Sequence, residues 1–150
     1  MLDRKLILAF LALGYFFTSL GAPDAFAQQS ASFKAVMIYA SNVQAKPDPR
    51  VAEIAKKMQR VFKFKHYKLT GKGNANIKVP GEGTIGLGSG FRLIVKAKGS
   101  ENGRVRAQVI WKKGGATLIN TQVVMSKNNP AVIGGHSHKS GKMIVTLTLK

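Results

Sequence analysis

Apolar and polar residues alternate along most of this chain, and only one stretch sustains a helical period instead. Phe33, Val36, Ile38 and Tyr39 give residues 32–40 the content of a β-strand, which predicts a first strand there. A polar link over 42–46 follows. Asp48-Pro49 then opens a predicted helix over 49–62, because an aspartate can cap free backbone N–H groups and proline suits the first helical position, where no N–H is needed. Val51, Ile54, Ala55, Met58, Val61 and Phe62 fall three and four apart and make one apolar stripe, while Lys56, Lys57 and Arg60 face away. From Lys63 the period returns to two, with glycine-rich breaks at short intervals. This predicts strands over 64–70, 75–79, 84–87, 91–98, 104–112, 117–125, 131–133 and 142–149. No internal repeat and no Ser/Pro-rich linker divides the chain. The expected fold is therefore α+β and mainly antiparallel β, a sandwich-like sheet with one helix packed across an apolar face.

The hairpin over 91–112 carries the clearest register. Gly99-Ser100-Glu101-Asn102-Gly103 has the composition of a turn, and pairing Lys98 with Arg104 across it sets Phe91 opposite Trp111, Leu93 opposite Val109, Val95 opposite Ala107 and Ala97 opposite Val105. One face of the hairpin is then an apolar ladder. The other sets Lys98 against Arg104 and Lys96 against Arg106, with Arg92 further along. Like charges directly opposite each other cost up to about 1 kcal/mol in water, which solvation and salt can offset and which an anionic partner would also offset.

Composition sharpens this picture at the N-terminus. Arg4 and Lys5 precede an uncharged run over 6–20, and Ala25-Phe26-Ala27 places small residues where a signal peptidase reads them. The run falls short of the ~20 residues that cross hydrocarbon. A cleaved signal peptide over 1–27 is therefore expected, leaving a single basic β-rich domain over 28–150, periplasmic or secreted, with no transmembrane segment. The leader holds two bases and two acids, so its removal leaves the net charge at +18. A charge of that size attracts polyanions and works against compactness. With no cysteine, disulfides, a lipoprotein anchor, thiol nucleophiles and thiolate metal sites are excluded, and stability must come from the hydrophobic core.

Candidate chemistry is sparse. Gly81-Glu82-Gly83-Thr84-Ile85-Gly86 has the G-x-G-x-x-G spacing, yet it runs into alternating strands rather than a helix N-terminus, so it is not a dinucleotide site. His136 and His138 could together bind zinc or copper. However, no acid lies near them in sequence, Lys139 and Lys142 oppose a cation, and 134–141 reads as an exposed polar loop. After the leader the only acids are Asp48, Glu53, Glu82 and Glu101. The first suits a helix cap, the second a first helical turn and the last a hairpin turn, which leaves no acid pair for hydrolytic chemistry. Phe62-Lys63-Phe64-Lys65-His66-Tyr67-Lys68 interleaves aromatics with cations, as a base-stacking strand would. The plainer assignment makes the aromatics core and the lysines surface.

Phe91-Arg92-Leu93-Ile94-Val95, then Gly103-Arg104-Val105-Arg106, then Asn120-Thr121-Gln122-Val123-Val124, and finally Ala131-Val132-Ile133-Gly134-Gly135 resemble, in that order, the strand pattern of the bacterial secretin β-domain. The resemblance spans 91–135 and implies a related strand pattern in an envelope protein. The chain is too short for the periplasmic modules of that family, so ring formation and pore activity are not implied.

Together these features predict no enzyme and no cofactor. They predict an exported binding or assembly module of the cell envelope, whose basic sheet face contacts an anionic envelope polymer or an acidic protein through Arg92, Lys96, Lys98, Arg104 and Arg106. Export would separate it from intracellular nucleic acid, which its charge would still let it hold in vitro. Two alternatives stand beside this one: a structural subunit that assembles with itself or a secretion apparatus, and a metal-binding protein using His136 and His138.

Overall fold

The computed structural model describes residues 29–150, and the predicted leader lies outside the described residues. Strand β1 (Gln29–Ser41) leads through a loop to a single 3-10 turn (Pro49–Val51) and helix α1 (Ala52–Met58). Strands β2 (His66–Val79), β3 (Gly81–Gly88), β4 (Phe91–Glu101), β5 (Arg104–Lys113), β6 (Ala116–Ser126), β7 (Ala131–His138) and β8 (Gly141–Leu149) follow. They form two antiparallel four-stranded sheets, ordered β2-β1-β8-β7 and β3-β4-β5-β6. The fold is the expected α+β class, mainly antiparallel β. Among the described residues no helix is long and apolar enough to cross a membrane.

Spatial order follows sequence order all the way round. The second sheet is a plain meander, and in the first sheet β1 pairs with β8, so that Phe33 lies opposite Leu149 and Ser41 opposite Gly141. The eight strands thus make one closed circuit, interrupted between β2 and β3 and between β6 and β7. Alternate residues of both sheets meet inside it: Phe33, Ala35 and Met37 of β1 and Val145 and Leu147 of β8 pack against Leu93, Val95, Val109 and Trp111 of β4 and β5. All nine are buried to within 1% of full burial, which makes this apolar seam the main source of stability.

The β2/β3 interruption is closed by backbone rather than by side chains. A Cβ on Gly71 would lie 1.9 Å from the Leu87 carbonyl oxygen, and one on Gly73 would lie 2.4 Å from that of Gly86. Glycine lets the two strands cross face to face where any side chain would hold them apart. This is why the expected break at 71–73 does not exist: β2 is one strand, not two, and its glycines mark a close approach instead of a turn.

A register shift opposite Met37 and Ile38 reverses the parity of β2 at Thr70, whose hydroxyl donates to the Met37 carbonyl. Beyond it Tyr67 and Leu69 turn to the outer face, where they join Ile38, Ala40 and Ile144 under Val51, Ile54 and Met58 of the helical segment. The Tyr67 hydroxyl donates to the Phe62 carbonyl. Asp48 caps the segment as its type predicts, accepting from the Arg50 backbone N–H at 3.1 Å, and it also accepts from the Arg50 guanidinium and from the Leu69 N–H on β2. The Arg50 hydrogen bond, helped by the two backbone N–H groups, holds its carboxyl far below the ordinary aspartate range.

The helix is shorter than the 49–62 stripe implies. Gln59 ends it, and the chain then turns so that the Val61 and Phe62 N–H groups both reach the Met58 carbonyl. Phe62 folds back on the small core, while Val61 is left 69% exposed.

Candidate anion-binding groove

The β4–β5 hairpin turns on Asn102-Gly103, whose φ values of +51° and +71° give the doubly left-handed bend that matches the twist of paired strands. Glu101 therefore faces Arg104, not Lys98. A bulge at Lys98 then absorbs one residue, so that Ala97 faces Ala107, Val95 faces Val109 and Leu93 faces Trp111. The register over 91–97 thus differs by two residues from the one expected from a five-residue turn. A two-residue slip keeps every inward side chain inward, so the apolar ladder survives with new partners.

On the outer face the slip changes the electrostatics. Lys96 faces Gln108 rather than Arg106, and its ammonium pairs with Glu82 of β3 at 3.2 Å. Arg106 faces Gly99. The like-charge contact that does occur is Arg92 opposite Lys112. Of the five predicted site residues, the structure gathers three: Lys98, Arg104 and Arg106, with Gly99, Ser100, Glu101, Asn102 and Val124, line a groove of about 900 Å³ at the hairpin tip. Lys98, at the bulge, and Gly99, which faces Arg106, both lie on its wall. Arg92 stands six residues back along β4, about 20 Å away at ~3.3 Å per residue, and Lys96 does not line it.

Positive charge is not confined to this face. The outer side of the first sheet carries Lys34, Lys72 and Lys78, and α1 carries Lys56 and Lys57. The groove gathers three of the predicted site cations on one concave surface. Among the described residues two ion pairs form, Asp48 with Arg50 and Glu82 with Lys96, and neither involves Lys98, Arg104 or Arg106. Val124 on its wall is 60% exposed, an apolar surface that the sequence pattern did not single out.

His136 and His138 are not in a solvated loop. β7 runs to His138, with Ser137 outward and both imidazoles half-buried on the inner side. There His136 meets the Trp111 ring edge-on at 6.3 Å and His138 meets Tyr39 at 6.1 Å. Each histidine has an aromatic partner to cover it, so the strand continues where composition alone suggests a loop. Among the described residues no group of three His, Asp or Glu side chains could hold a metal ion. Gly81 to Gly86 lie within β3 and pair with β4, and Gly83 leaves room for Ile77. Phe62, Phe64 and Tyr67 pack in the small core, so they form no stacking platform.

No family model matches the chain, and no curated protein or solved structure matches it at significance.

Proposed function

We propose that this chain is a non-catalytic binding module of the cell envelope, exported by its leader, that holds an anionic polymer or an acidic protein surface at the tip of the β4–β5 hairpin. The observation that carries the reading is the groove of Lys98, Arg104 and Arg106, three cations without an ion pair beside the single carboxylate of Glu101. Unpaired cations around a concave surface attract extended anions, and arginine adds a planar fork suited to carboxylate, sulfate or phosphate. The exposed Val124 gives a partner some apolar area to cover.

The test must separate this site from net charge. Retention of the 28–150 domain on a heparin column and on polyglutamate should fall sharply in salt for the wild type. A Lys98→Gln, Arg104→Gln, Arg106→Gln variant should elute at markedly lower salt than a Lys34→Gln, Lys72→Gln, Lys78→Gln variant, which removes the same charge from the other sheet. Equal elution of the two would show attraction by bulk charge alone and remove the proposal.

A further inference from the structure

At the end of the sandwich opposite the hairpin tip lies a second hollow, of about 530 Å³, within the range of small-ligand sites. Its walls are apolar, from Met37 and Tyr39 of β1, Phe91 of β4 and Met143 of β8. Lys68, Lys113 and Lys139 stand among its lining residues, and no acid does. The parity reversal at Thr70 is what brings Lys68 to this side of β2.

Three further observations point to a ligand. Ser41, only 1% exposed, lines the hollow, and its hydroxyl has no hydrogen-bond partner; a buried hydroxyl of this kind is normally satisfied. Val43, in the loop at the mouth, is 56% exposed. The Lys113 ammonium sits 5.0 Å from the centre of the Phe91 ring, so cation and apolar wall are already in register.

We propose that this hollow binds a single-chain amphiphile with an anionic head, of which a fatty-acid carboxylate is the simplest, its tail against Met37, Phe91 and Met143 and its head among Lys68, Lys113 and Lys139. The tail gains from leaving water and the flexible methionines adapt to it. The head gains from three lysines with no competing carboxylate. The site is separate from the hairpin groove, so either reading can fail without the other.

Trp111 provides the readout. It is the one tryptophan of the chain, fully buried, with its ring 5.9 Å from that of Phe91, so occupancy against Phe91 should change its emission. Titration of the 28–150 domain with straight-chain carboxylates of eight to twelve carbons, kept below their micellar concentrations, should give saturable binding that tightens two- to fourfold per methylene. An alkyltrimethylammonium of equal length should bind at least tenfold more weakly. Lys68→Gln, Lys113→Gln, Lys139→Gln, at exposed positions, should weaken carboxylate binding at least tenfold and leave the alcohol of equal length unchanged. The Lys34→Gln, Lys72→Gln, Lys78→Gln variant, with the same charge loss elsewhere, should bind as the wild type does. Absent saturable binding, equal affinity for the alkylammonium, or equal losses in the two triple variants would each overturn the assignment.

Discussion

Single glycines decide whether the two sheets can meet at the β2/β3 corner. Because a Cβ on Gly71 would fall inside the Leu87 carbonyl oxygen, Gly71→Ala must push two backbones apart, and a loss of about 3 kcal/mol in urea unfolding is expected. Gly86 sits in the same crossing but has open space where its Cβ would be. Gly86→Ala should therefore gain up to about 1 kcal/mol by stiffening the unfolded chain. Opposite signs at two glycines would confirm that contact, and not flexibility, sets the requirement; a neutral Gly71→Ala would refute it. Residue types alone do not reveal this. Gly71 and Gly73 look like a break in alternation, because the carbonyls they accommodate lie more than ten residues away in sequence.

At the scale of elements, the strands were largely legible and their registers were not. Alternation located every strand at least in part, since one wet and one dry face force a period of two, but it missed residues 71–74 of β2 and 134–138 of β7. It could not fix the β4–β5 pairing, because slips by two residues preserve that alternation, and the turn chemistry of Asn102-Gly103 had to decide. Helix α1 was legible in position and stripe but not in length, since Val61 and Phe62 keep helical spacing after the helix has ended. Of the candidate groove, Lys98, Arg104 and Arg106 were named from an expected hairpin pairing whose register the structure shifts. Val124 and the neutralisation of Lys96 by Glu82 depend on strand neighbours that only the fold supplies. The register also relocates the electrostatic strain to Arg92 opposite Lys112. Arg92→Glu should convert that repulsion into attraction and raise stability by about 0.5 kcal/mol at low ionic strength, an effect that shrinks as salt is added. Had the five-residue turn been correct, the gain would appear at Lys96 instead.

For the whole molecule, net charge and closure pull in different directions. A charge of +18 spread over both sheets and the helix repels itself in the compact state. Thermal unfolding of the 28–150 domain should therefore shift to higher temperature as sodium chloride rises from about 10 to about 150 mM, where the Debye length falls from ~30 to ~8 Å. A flat or falling midpoint would mean that the cations are already far enough apart not to interact. The fold class was readable because the overall order of alternating segments permits few other architectures. The hollow beneath Val43 was not, since it depends on the parity reversal in β2 and on chain ends that meet only after folding.

That meeting of the first and last described strands sets the order in which the fold can close. β1 lies between β2 and β8, and the Lys150 N–H donates to the Ser32 carbonyl at 2.8 Å, so the earliest strand to emerge waits for the last. Until β8 is in place, Phe33 and its neighbours are paired on one side only, with β2. β8 is thus the strand that closes the circuit of the two sheets, and the fold locks when it docks.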